Sequence, residues 1–223
     1  MANKSIHTLL LLLLLSSMLT AAQPAGTIEL GARIGIFSNS VNELENKNTS
    51  VRLFGNKRNL CYEGFFGYFI LPQAALVVNL GSYSKGDISV QGTQDAVGQR
   101  TFIGSAGIYP IQIGVKLEPF TGQLVAGMSP FLEGGGALII GSESISQLYY
   151  DRYYDAWTDG VLKTETDWNW WLGGGALVSL SSTVRLDLMV KYIRIEFSGD
   201  IAGIRDYSGW QVSVGIGYLV LGE

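Results

Sequence analysis

The chain has 223 residues, of which 47% are hydrophobic, 15% charged and 29 glycine, and its formal charge is −4. A weakly acidic balance argues against nucleic-acid binding, and this length suits one domain with an ample core. The single cysteine, Cys61, excludes a disulfide framework within the chain and reads as a small half-buried side chain.

Lys4, an apolar run from Leu9 to Leu15 and the small residues Thr20-Ala21-Ala22 form a secretory signal peptide, with cleavage expected after Ala22. The run is too short for a membrane-spanning helix, which needs about 20 apolar residues, and no cysteine follows it to carry a lipid anchor. The expected division is therefore a signal peptide over 1–22 and one domain over 23–223. Cleavage removes Lys4 and also His7, the only histidine, leaving fourteen basic and nineteen acidic residues and a charge of −5. No later window has the 18 or more consecutive apolar residues of a membrane helix. An exported, apolar, glycine-rich chain of this kind points to a β-barrel.

In chain order, Thr27 to Phe37 alternates Ile28, Leu30, Ala32, Ile34 and Ile36 against Glu29, Gly31, Arg33 and Gly35, the period of a two-faced strand. Residues 38–58 lose the period and read as a polar loop. Leu60 to Leu71 is the second strand, turning over at Leu71-Pro72-Gln73 into a third from Ala74 to Lys85. A polar loop is expected from Gly86 to Gln99. The fourth strand is unclear over Thr101 to Tyr109 and settles into Ile111 to Leu117, with an irregularity expected at Pro110, which has no N–H to donate. Pro130 to Gly141 is the fifth. Residues 142–166 are expected to make the longest loop. Trp168 to Leu180 is the sixth strand, and Ser181-Ser182-Thr183 turns it into the seventh, Val184 to Tyr192. A short loop around Ser198 to Tyr207 leads to the eighth, from Trp210 to Tyr218.

The joints after the second, fourth and sixth strands are shorter than the others, so they fall on one side of a membrane and the long polar joints on the other, as outer-membrane barrels require. One face of the strands collects Glu29, Arg33, Glu63, Asn79, Gln112, Lys116, Glu118, Glu133, Asn169, Arg185, Asp187, Lys191 and Gln211. The opposite face carries almost no charge. Mixed charges padded with glycine suit a narrow interior packed from all sides, and closure satisfies every backbone polar group in lipid. Glu29, Arg33, Glu63, Lys116, Glu118, Glu133, Arg185, Asp187 and Lys191 are thus expected to form a structural charge network inside. Trp168, Trp170, Tyr192, Trp210 and Tyr218 lie near the ends of apolar faces, where interfacial girdles form. After Tyr192 the period would carry Arg194 and Glu196 onto the apolar face, so either a bulge resets the strand or the membrane ends near Tyr192.

On this pattern the chain resembles the small eight-stranded outer-membrane barrels of Gram-negative bacteria, of the OmpA, OmpX and opacity-protein type. The resemblance covers residues 27–221 and implies an all-β, eight-stranded antiparallel up-and-down transmembrane barrel in the cell outer membrane, monomeric and inserted by the barrel-assembly machinery. The chain departs from that type at its end, Tyr218-Leu219-Val220-Leu221-Gly222-Glu223, where such proteins often finish on an aromatic residue.

Few residues invite chemistry. The near-repeats Gly134-Gly135-Gly136-Ala137-Leu138 and Gly173-Gly174-Gly175-Ala176-Leu177 lie inside strands rather than at a strand-to-helix turn, so they read as room for Phe131 or Trp171 and not as a phosphate loop. Enzymes of this barrel size, the lipid A deacylases and palmitoyltransferases, depend on a catalytic histidine that the mature chain lacks. Catalytic residues, cofactors and metals are accordingly none. Tyr149, Tyr150, Asp151, Tyr153, Tyr154, Asp155 and Trp157 mix rigid aromatic surface with acceptors, a composition of recognition surfaces. These residues are the candidate contact with an unknown surface ligand or host partner, unless the strands simply continue and the rings pack on each other. The spacing of Asp151, Asp155 and Asp159 lacks the glycine and glutamate of a calcium loop. The expected function is structural or surface-interacting. A narrow channel for small or apolar solutes and a soluble periplasmic ligand-binding barrel are the two alternatives.

Overall fold

The computed structural model describes residues 24–39, 52–54, 58–91, 100–119, 128–150, 155–201 and 204–220, with side chains outside 52–54, 84–91, 100–105, 145–150, 155–161 and 200. The strands are β1 (Ile28–Asn39), β2 (Arg52–Phe54), β3 (Arg58–Leu71), β4 (Ala74–Gln91), β5 (Arg100–Leu117) and β6 (Met128–Tyr150). They continue with β7 (Asp155–Ser179), β8 (Val184–Ile193), β9 (Glu196–Ile201), β10 (Ile204–Asp206) and β11 (Gly209–Val220). Eight of them close an antiparallel barrel in the order β4-β3-β1-β11-β8-β7-β6-β5, with β5 back on β4. β2 adds to the edge of β4, and β9 and β10 pair only with each other.

Alternation explains the wall. Along β11 every second residue from Gly209 is buried, while Trp210, Val212, Val214, Ile216 and Tyr218 between them are exposed. The same parity buries Arg185, Asp187, Met189 and Lys191 of β8 and turns Leu188 and Val190 outward, so the barrel wears its apolar residues outside and its charges inside. A soluble sheet would have the reverse arrangement.

Aromatics bound the apolar belt. At one end Tyr192 packs between Trp170 and Trp210, at ring-centroid distances of 5.6 and 5.2 Å. At the other, Tyr68 and Tyr218 point outward. Trp210 and Tyr218 are eight residues apart on one strand, about 27 Å along it and about 20 Å along the barrel axis at the tilt of small barrels. The tight turns Pro72–Gln73 and 180–183 lie at the Tyr218 end together with the start of β1 and the end of β11: the Gly26 N–H reaches the Phe69 carbonyl (2.8 Å) and the Leu219 N–H that of Thr183 (2.7 Å).

Several expectations change. Residues 142–150 and 155–166 are not a loop: β6 and β7 continue their ladder to the pair Tyr150 and Asp155, leaving four residues between them. The polar loop expected from Gly86 likewise gives way to strand as far as Gln91, and β5 is regular from Arg100. The irregularity expected at Pro110 is found on its β4 side: the β5–β6 register runs through it, but the β4–β5 ladder skips Gly81–Pro110 and Ser82–Tyr109 between the pairs Leu80–Ile111 and Tyr83–Ile108, and a Cβ on Gly81 would come within 2.8 Å of Pro110 Cγ. A separate register shift on the β4 side lies between Ser84 and Asp87. No bulge interrupts β8, whose ladder with β7 ends at Ile193; Arg194 and Glu196 keep the outward parity. Residues 1–22, expected to be a signal peptide, lie outside the described residues.

Candidate functional site

The barrel interior is built from ion pairs stacked along the axis. Towards the turn end, Lys116 Nζ lies 2.7 Å from Glu29 Oε2 and 3.2 Å from Glu118 Oε1, and Arg185 Nη1 donates to both Glu118 oxygens at 3.0 and 3.1 Å. In the middle Arg33 reaches Asp187 through Nε (3.1 Å) and Nη2 (2.8 Å), Glu63 through Nη1 (2.7 Å), and more distantly Glu133 (3.4 Å). Nearer the mouth Lys191 Nζ donates to Glu63 and to Gln112 Oε1 (2.9 Å), Asn79 Nδ2 donates to Gln112 Oε1 (3.3 Å), and the Tyr83 hydroxyl donates to Gln211 (2.8 Å). Each of these charged residues is at most 4% exposed. Charges so far from water persist only when paired and hydrogen-bonded.

Three of the cations also sit over rings: Arg33 over Phe65 at 4.2 Å, Lys116 over Phe131 at 5.0 Å and Lys191 over Trp171 at 5.4 Å. Glycines make the room. A Cβ on Gly31 would fall 2.2 Å from the Phe65 ring, and one on Gly114 would fall 2.9 Å from that of Trp171. The near-repeats serve the same purpose. Gly135 pairs with Trp171 and Gly175 with Phe131 across the β6–β7 ladder, and Trp171 Nε1 donates to the Gly136 carbonyl (3.1 Å).

The mouth is capped by the segment after β8. Ile195, Phe197, Ile201, Ile204 and Tyr207 are buried there, and a Cβ on Gly141 would strike Phe197 at 2.7 Å. Two inward side chains of β7 hold this cap by its backbone. Asn169 donates to the Glu196 carbonyl (3.2 Å) and accepts from the Glu196 N–H (3.3 Å), while Asp167 accepts from the Ser198 N–H (2.6 Å) and hydroxyl (2.9 Å). Sequence reasoning expects a short loop over Ser198 to Tyr207 and no packed segment before it. The alternate apolar residues Ile193, Ile195 and Phe197, continuing the period of β8, are the signal that marks it as packed.

Beyond the mouth the ladder of β5, β6 and β7 rises further. Tyr149 pairs with Arg100 on one side and Ala156 on the other, Tyr150 with Asp155, and Trp157 with Leu148. The candidate recognition residues Tyr149, Tyr150, Asp155 and Trp157 therefore stand on two adjacent strand ends, and Asp151, Tyr153 and Tyr154 lie outside the described residues. Among the described residues no cluster of histidine, cysteine and carboxylate side chains has the arrangement to hold a metal ion.

No family model and no curated protein matches the chain. Solved structures do. The crystal structure of the outer-membrane protein OprG from Pseudomonas aeruginosa is 12% identical, superimposes with a TM-score of 0.59, and the match covers 90% of this chain and 99% of that one. The attachment invasion locus protein Ail of Yersinia pestis gives 10% identity, a TM-score of 0.47 and coverage of 88% and 100%. Neisserial surface protein A gives 13%, 0.43, and 87% and 97%. The fold of this chain is that of the small, closed, eight-stranded antiparallel outer-membrane barrels.

Proposed function

We propose that this chain is an outer-membrane protein with a structural and surface-interacting role and no catalysis, held in lipid by its apolar belt and inserted by the barrel-assembly machinery as a monomer. The observation that carries this reading is the interior. Charged side chains from β1, β3, β5, β6 and β8 meet on the axis and pair with each other, so the centre of the barrel is occupied by protein rather than by a file of water. An eight-stranded barrel is about wide enough for its own side chains. Recognition then belongs to the part that stands clear of the belt, the outer ends of β6 and β7 with Tyr149, Tyr150, Asp155 and Trp157, joined in sequence by the candidate residues Asp151, Tyr153 and Tyr154.

The test is electrical. Reconstituted in planar bilayers, the folded protein is expected to leave the membrane resistance unchanged; reproducible unitary conductance steps would replace this reading with that of a narrow channel. Recovery of the native protein from the periplasmic fraction without detergent would instead favour a soluble barrel.

A further inference from the structure

Where β7 and β8 part, the wall has a cleft. Their last ladder pair is Trp171 with Ile193, the Arg194 N–H still reaches the Trp170 carbonyl (3.0 Å), and above that the two chains are linked through the Asn169 and Asp167 side chains. The separation leaves a cavity of about 450 Å³, within the size range of small-ligand sites. It opens outward, because Trp168 and Trp170 occupy the outward face of β7, and Arg194 and Glu196 that of the neighbouring segment.

Its height is set by the aromatic row. Trp170 belongs both to the cleft and to the Trp170–Tyr192–Trp210 stack that ends the apolar belt. The cleft thus sits immediately above the belt, at the level where lipid headgroups meet water. Trp168 is 72% exposed there, a large apolar ring that the described residues leave mostly uncovered.

The chemistry of the lining is selective. Arg194 donates to the Glu196 carboxylate through Nε and Nη2, and both side chains are about half exposed. Asn169 and Ser198 are engaged by the cap. A ligand therefore meets a donor and an acceptor side by side, with no net charge, beside two indole faces. A bare anion would face the Glu196 carboxylate, and a bare cation the guanidinium. A sugar ring satisfies all of them, since its hydroxyls both donate and accept and its C–H face packs on an aromatic ring.

We propose that this cleft binds the saccharide headgroup of a membrane glycolipid, whose acyl chains run down the apolar surface past Trp170 and Tyr192. The location of the lipid rests on the outer-membrane reading. Diphosphorylated lipid A serves as the probe, titrated into the folded protein in detergent, with adducts counted by native mass spectrometry and folding checked separately by heat-shifted gel mobility. A one-to-one adduct is expected. Trp168→Ala should weaken it roughly tenfold, the loss of one good ring contact, and Trp168→Tyr should restore most of it. Arg194→Gln with Glu196→Gln should weaken it similarly, and Tyr62→Ala, which removes an exposed outward ring on β3, three strands from β8, should leave it unchanged. Equal retention by wild type and Trp168→Ala would overturn the proposal, as would equal binding of phosphatidylglycerol, which has no sugar. Displacement by a soluble glucosamine disaccharide at matching affinity would overturn the lipid-borne source. Failure of the outer-membrane reading would show differently, as native protein in the soluble fraction whatever its lipid A binding.

Discussion

Arg33 and Asp187 are 154 residues apart in the chain and are joined by two hydrogen bonds, from Nε at 3.1 Å and Nη2 at 2.8 Å. The same guanidinium also serves Glu63 on the neighbouring strand, so it ties β1 to β3 on one side and, past β11, to β8 on the other. Removing it leaves Asp187 and Glu133 without an ion-pair partner among the described residues, and Glu63 with Lys191 alone. Arg33→Met is expected to cost about 3–5 kcal/mol, the range for breaking a buried pair by deleting one partner, measured by urea unfolding in lipid vesicles. A loss under 1 kcal/mol would mean that the interior is wetter than its burial indicates.

Neighbouring glycines give a sharper contrast. A Cβ on Gly135 would lie 2.1 Å from the Ile113 carbonyl oxygen, whereas one on Gly136, on the outward face, would meet nothing within 4 Å. Gly135→Ala should therefore destabilise by about 1–3 kcal/mol through overpacking, and Gly136→Ala should change stability by less than about 0.5 kcal/mol. Matching effects at the two positions would contradict the assigned faces.

The belt itself can be probed by charge. Leu188 points outward between the two aromatic girdles, so Leu188→Arg should cost roughly 2–4 kcal/mol; Leu162→Arg, on the outward face of β7 beyond Trp168, should cost about 0–1 kcal/mol. The difference is read from the folded fraction in bilayers by gel mobility. Unimpaired folding of Leu188→Arg would rule out lipid on that face.

Asn169 holds the cap by imitating a backbone ladder. Asn169→Ala removes one donor and one acceptor and should lower the local opening free energy of the cap by about 1–3 kcal/mol, seen as faster amide exchange at Glu196 with no change at Val190 of β8. Uniform acceleration across both would indicate global rather than local loosening.

Orientation is testable on intact cells. Added protease should cut within 151–154, between the outer ends of β6 and β7, and spare Pro72–Gln73 at the turn end. Cleavage at Pro72–Gln73 alone would invert the barrel.

The wall of the barrel was readable because lipid outside and charge inside impose opposite chemistry on alternate residues, as in Val184 to Tyr192. The same cause explains where reading failed. Once β7 passes Trp168 its outward residues are Thr166 and Thr164, no longer required to be apolar, so the contrast vanishes and strand reads as polar loop. Burial of Arg33 and Asp187 follows from the period; their pairing does not, because it depends on how far the strands stagger when the barrel closes. In the cap the period announces only the packing of Ile195 and Phe197; the hold on β7 runs through the side chains of Asn169 and Asp167, which no period announces.

Period-two alternation leaves one ambiguity that the rings remove. A strand slipped by two residues keeps its apolar face outward and its charges inward, so hydrophobicity alone cannot tell it from the native register. Such a slip between β6 and β7 would set Trp171 against Glu133 or Ala137 in place of Gly135. Phe131, now opposite Gly175, would lose its glycine partner if β7 slipped one way and meet Gly173 if it slipped the other. The Trp171–Gly135 pair therefore rejects a slip in either direction, whereas the Phe131–Gly175 pair rejects only the one that sets Phe131 against Leu177. The empty positions of the interior act as a proofreading code for strand pairing, written in missing side chains.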